Sequence, residues 1–116
     1  MDRFLILKDS HMICDDTFQK VKRAETFLLQ RYQSGELLDM LLTHFAIAME
    51  RVHKKEQLGA IGDTVLQELT SHEEYSQCLE VLEQLYQVTY MTLPKEEEPY
   101  ILLHLLNVIN EEKGVK

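Results

Sequence analysis

The chain has 116 residues, 45% of them apolar, and a net charge of −8. That length favours one domain with one core, and leaves too little chain for a core that also encloses a large substrate cavity. The acidity argues against a free-standing binder of phosphate backbones, which needs a basic footprint. The basic residues that do gather, Lys20, Lys22 and Arg23 with Arg31 further on, read as a solvated helix face. The two cysteines, Cys14 and Cys78, form no CxxC pair, and Cys78 falls on an apolar helical face as a buried thiol. Phe4 to Leu7 is too short for a signal-peptide core, and Arg51, Asn107 and many acids interrupt every apolar stretch. No membrane contact is therefore expected, and the cytoplasm is the expected location.

Residues 1–16 form an N-terminal arm or short helix, with Arg3 to Leu7 ambiguous between strand and helix, and residues 17–113 form a single helical domain. Phe18, Val21, Ala24, Phe27 and Leu28 recur at helical steps, predicting a helix from Thr17 to about Tyr32, with Asp15 and Asp16 as an acidic cap region and Ser34-Gly35 as its stop. A second helix spans Glu36 to about His53. Leu37, Leu38, Leu41, Leu42, Phe45, Ala48, Met49 and Val52 share one broad face, with Asp39, Thr43 and Glu50 opposite. Ile61, Val65, Leu66 and Leu69 suggest a short third helix. Thr70 or Ser71, followed by Glu73 or Glu74, suggests a capping box for a fourth helix, which carries Tyr75, Cys78, Leu79, Leu82, Leu85, Tyr86 and Thr89 on one side. Pro94 suits a first helical position, Lys95 to Glu98 supply a first turn, and Pro99 is bearable so near the start. This fifth helix runs to about Glu112 and is closed by Gly114. From Tyr100 to Ile109 it is apolar nearly all round, as expected of the centre of a bundle or an interface. The fold class is all-α, a compact bundle of about five helices.

Of the five histidines, His11, His53 and His72 stand in polar or boundary sequence and read as surface. His44 and His104 lie sixty residues apart, each within a strongly apolar helical run. Imidazole titrates near neutrality and can hold a metal, move a proton or accept a phosphoryl group. The plainer account is a core-edge histidine satisfied by one carbonyl. Charged neighbours weigh against it: Arg51 follows His44 by seven residues, Glu97 precedes His104 by seven, and Glu111 follows it by seven. Seven residues are two helical turns, so each charge shares its histidine's edge. A cluster of His44, Arg51, His104 and Glu97 across two packed helices would give these charges partners. Metal is disfavoured because the chain has no Glu-x-x-His and no His-x-x-x-His, and Glu97 and His104 stand about 10 Å apart along one axis. No serine pairs with an evident base and no Gly-rich loop cradles a phosphate, so neither an enzyme nor a cofactor is expected.

At these residues the chain resembles the PTS regulation domain, the all-helical module of bacterial transcriptional antiterminators and sugar-operon activators. One motif is His44-Phe45, Ala48 and Arg51; the other is Glu97, Tyr100, Ile101, Leu103 and His104. The resemblance implies a domain that reads sugar supply; the chain is expected to be either such a domain excised or, as Met1 and the start near Phe4 lean, a stand-alone one. His44 and His104 would be phosphoryl acceptors supported by Arg51 and Glu97. The donor would be the phosphocarrier protein or a sugar-specific transport component, and the family usually forms a homodimer. It departs from the family in three respects: no nucleic-acid-binding domain fits in this length, Thr43 stands where an acid often precedes the first histidine, and Pro99 sits within the second motif. Its output would then run through a partner such as a full-length regulator. The alternative is a constitutive helical dimerisation scaffold with structural histidines.

Overall fold

The computed structural model describes Ile6 and residues 8–10, 12–55 and 63–114, with side chains from residue 66 to 111 in the last segment. The readings placed on Phe4, Leu7, His11, Ile61 and the side chain of Val65 lie outside the described residues. From residue 12 onward, five helices follow in order among the described residues: α1 (Asp15–Leu29), α2 (Glu36–His53), α3 (Asp63–Ser71), α4 (Tyr75–Thr89) and α5 (Glu98–Gly114). No strand occurs among the described residues. Before α1, the Ser10 amide donates to the Ile6 carbonyl at 3.0 Å, closing one helical turn.

The four longer helices close a ring. α1 packs on α2, α2 on α5, α5 on α4 and α4 back on α1, while the short α3 lies against α4 and α5. α5 thus has three neighbours, which explains its apolar girth. Ile101, Leu102, Leu105, Leu106, Val108 and Ile109 are all buried within the single chain. Of the two readings of that girth, the bundle centre is the one realised. The ring closes on Val21, Leu28, Leu41, Phe45, Leu85 and Leu105, none of them more than marginally exposed. Cys78 joins this core, where burial and the nearby Glu74 push its thiol up to about 11, well out of the reactive range. Among the described residues no helix is long and apolar enough to cross a membrane.

The helix ends differ from expectation in ways that have local causes. Asp15 and Asp16 stand inside the first turn of α1, not at its cap; Cys14 occupies that position without a side-chain cap bond. The acids still favour the helix dipole. α1 ends at Leu29, and Tyr32 returns its amide to the Leu28 carbonyl at 2.8 Å in a closing turn. The capping box expected of Thr70 or Ser71 does not form. α3 extends through Ser71, so both hydroxyls bond back into its own last turn, on the Gln67 and Glu68 carbonyls. α5 starts at Glu98 rather than at Pro94, whose carbonyl accepts the Glu97 amide in a preceding turn. Pro99 then falls where backbone amides have no intrahelical partner, so its missing N–H costs little.

Glu50 marks the largest departure. Expected opposite the apolar face, it is buried under the start of α1 and accepts from the Cys14 amide at 3.0 Å and the Thr17 hydroxyl at 2.9 Å. Burial alone would raise its carboxyl pKa, but these two donors outweigh that and hold it below the ordinary value. The link ties the start of α1 to the last turn of α2.

Candidate functional site

α2 and α5 pack side by side in antiparallel directions, so each step of seven along one is matched by a step of seven back along the other. Glu97 therefore meets Arg51, and His104 meets His44. The start of α2 then faces the far end of α5: a Cβ added at Gly35 would lie 3.8 Å from Glu111 Oε1. The two motifs are the two halves of one helix pair. Phe45 and Met49 on α2, with Ile101 and Leu105 on α5, are buried and hold the helices in this register. The side chains of His44, Arg51, Glu97 and His104 lie together along the seam beside this core.

At one level of the seam the imidazoles of His44 and His104 stack, with ring centres 4.3 Å apart and planes 19° from parallel. His44 is exposed and His104 half-buried. One level along, Arg51 Nε donates to Glu97 Oε2 at 2.8 Å and Arg51 Nη2 to Glu97 Oε1 at 3.3 Å. This is a two-point, charge-assisted contact. The Glu97 side chain is 4% exposed and that of Arg51 25%, so the acid is committed to the interior while the guanidinium keeps an edge to solvent. Between the levels lies a half-open cleft of about 380 Å³. Both histidines, Arg51 and Glu97 line it, with Ile47, Tyr100 and the small Ala48, where a longer side chain would fill the space. The structure thus brings together all four residues singled out in the sequence. Glu111 is exposed and stands apart from the cleft, towards Gly35.

Burial, and then the neighbouring His44, lower the pKa of His104 below its ordinary value of 6.5. At neutral pH its ring is therefore uncharged and keeps a lone pair on one nitrogen. The shift has a consequence for stability. In the unfolded chain this residue protonates as pH falls through about 6.5, while the folded state still resists the proton. Its contribution to stability is complete above that value and is lost on acidification until the folded ring also titrates. Urea midpoints at pH 7.5 and 5.0 are expected to differ less in His104→Gln than in wild type. An equal or larger difference in the variant would contradict the assignment.

Sequence reasoning missed three further acids with specific partners: Glu50, Glu74 and Glu98. Glu74 is buried with one oxygen 2.5 Å from His72 Nδ1, so His72 is half-buried and engaged rather than simply at the surface. Glu98 accepts the Tyr86 hydroxyl at 2.7 Å. None of these carried a spacing signal, because each partner comes from another helix or a turn. Among the described residues no group of three or more His, Cys, Asp or Glu is placed to hold a metal.

Fold and seam together define a small all-α module built around a paired-histidine cleft. The chain belongs to the PRD domain family, whose model matches residues 19–108 and so spans both histidine motifs and all but the ends of the bundle. It is accordingly a regulatory module of the phosphotransferase-system type, from a regulatory rather than a catalytic family. No curated protein and no solved structure matches the chain.

Proposed function

We propose that this protein is a phosphorylatable interaction module that accepts phosphoryl groups on His44 and His104 and thereby modulates a partner in sugar-responsive transcription control. The observation that carries the reading is the stacked histidine pair sharing one cleft with the Arg51–Glu97 contact. The donor is a phosphohistidine of the phosphocarrier protein or of a sugar-specific transport component. An unprotonated ring nitrogen supplies the electron pair for the new P–N bond. The donor's P–N bond breaks, its imidazole takes up a proton and the acceptor releases one. The low pKa of His104 supports this role, since only a neutral ring is a nucleophile.

The phosphoryl group brings about two negative charges and three acceptor oxygens into the cleft. There it competes with Glu97 for Arg51. Glu97, nearly all buried, tolerates the loss poorly, so modification strains the α2–α5 seam and biases the domain between two packings. Homodimerisation belongs to the same reading. With the girth of α5 used inside the chain, it rests on the family and on Met40, which is 40% exposed one turn before His44. The regulated partner is a full-length regulator, with no direct nucleic-acid contact by this chain.

The test is incubation with phosphoenolpyruvate, the first transport enzyme and the phosphocarrier, with and without the sugar-specific component. Wild type is expected to gain acid-labile phosphate that is lost in His44→Ala/His104→Ala. No incorporation into wild type under either condition would overturn the proposal, and would favour the scaffold with structural histidines.

A further inference from the structure

The two histidines of the cleft stand in unlike surroundings: His44 is exposed and His104 half-buried. Their helices also aim them differently, because side chains of an α-helix lean towards its N-terminus. His104 follows Glu97 on α5, so its ring leans back towards the Arg51–Glu97 contact. Arg51 follows His44 on α2, so its guanidinium leans back towards the histidines. His44 leans the other way, towards the start of α2. His104 and Arg51 therefore converge on the space between the two levels. Ala48 stands beneath that space. It follows His44 by four residues and precedes Arg51 by three, about 6 Å and 4.5 Å along the axis. It lines the cleft yet is buried, so its methyl group is part of the floor. On α5 the buried Ile101 and the half-buried Tyr100 line the same cleft.

We infer that the room above Ala48 is a seat for a phosphoryl group carried by His104, with Arg51 as its ligand and Ala48 as the residue that keeps it open. The inference rests on the reading of the cleft as a site of phosphorylation. The ring of His104, uncharged at neutral pH, forms the new P–N bond with its lone pair while the donor's P–N bond breaks. His104 loses its N–H proton, and the leaving imidazole of the donor gains one. The transferred group then lies between the His104 ring and the Arg51 guanidinium, whose planar fork of N–H groups suits its oxygens. A phosphoryl group on His44 is directed away from Arg51 and stays hydrated at the surface. The two acceptors are thus unequal: the group on His104 is the one that draws Arg51 off Glu97. Ala48 takes no part in the chemistry and acts by leaving room, as a positioning residue.

The test measures the initial rate of acid-labile phosphate incorporation on each histidine separately, in the full chain with His44→Ala or His104→Ala. The donors are those named above, supplied together. Each background is combined with Ala48→Ser, Ala48→Val and Ala48→Leu, and the result is judged on the largest side chain that leaves helical circular dichroism unchanged. The loss on His104 is expected to grow with side-chain size, and Ala48→Leu should slow His104 at least tenfold more than His44. A general disturbance of the bundle would instead lower both together. Acceptance by His104 alone, with the same size-graded loss, would also support the inference. An equal loss on both histidines, no loss on either, a greater loss on His44, or acceptance by His44 alone would overturn it and leave the phosphorylation reading standing. No incorporation on either histidine with Ala48 in place would overturn both.

Discussion

Arg51→Ala is expected to lower the unfolding free energy by about 2–4 kcal/mol, because it strands a buried carboxylate. The asymmetry of the pair makes this more than a generic loss. Glu97 is 4% exposed and cannot recover hydration without opening the α2–α5 seam, whereas Arg51 already has an edge in solvent. Glu97→Ala should therefore cost only about 1 kcal/mol, since the freed guanidinium swings into water. Arg51→Ala combined with Glu97→Leu should recover most of the loss, because an apolar group of similar size needs no partner there. Chemical denaturation of the four proteins at pH 7.5 measures all three effects. Equal costs for the two single variants would sink the argument, as would an Arg51→Ala change within about 0.5 kcal/mol of wild type. The same asymmetry underlies the proposed switch: a group that draws Arg51 away leaves Glu97 in the position created by the alanine variant.

The seam was legible in the sequence because it is written twice. His44 and Arg51 are two turns apart on one helix, Glu97 and His104 two turns apart on another, in opposite order. That is the pattern an antiparallel pair requires if each charge is to find its partner. Helical periodicity likewise located α2 and α4 closely, since their apolar faces are long and uninterrupted. The cap chemistry was less legible. Thr70 and Ser71 carry the residue types of an N-cap, but the same hydroxyls equally satisfy carbonyls at the end of a preceding helix, and α3 runs far enough to claim them. Glu50 was not legible at all. A single helix gives no sign that another helix will cover its polar side, and only docking of α1 supplies the Cys14 amide and Thr17 hydroxyl that make its burial tolerable. The basic cluster on α1 read as a uniform solvated face. The structure divides it into lysines neutralised along their own helix and arginines lodged on aromatic rings.

Phe45→Ala is expected to cost about 3–5 kcal/mol, a large share of the roughly 5–15 kcal/mol that holds a domain of this size together. Phe45 is fully buried at the point where α2 meets the rest of the ring, and it follows directly on the exposed His44. A helix places consecutive residues about 100° apart, so within this motif one residue faces the core and its neighbour the cleft. The two should separate cleanly in experiment. His44→Ala removes an exposed ring and one side of a stack, and should change stability by less than about 1 kcal/mol. Phe45→Ala removes most of a core side chain and leaves a cavity that the surrounding Leu and Met side chains fill only in part. Phe45→Leu retains much of the volume and should cost about 1–2 kcal/mol. Thermal and urea unfolding of the three variants decides the matter. If His44→Ala proved as destabilising as Phe45→Ala, the histidine would be a structural part of the bundle, and the assignment of the cleft as a site of modification would lose its support. If the order is as expected, His44 can be replaced to probe phosphoryl transfer without disturbing the fold that presents it.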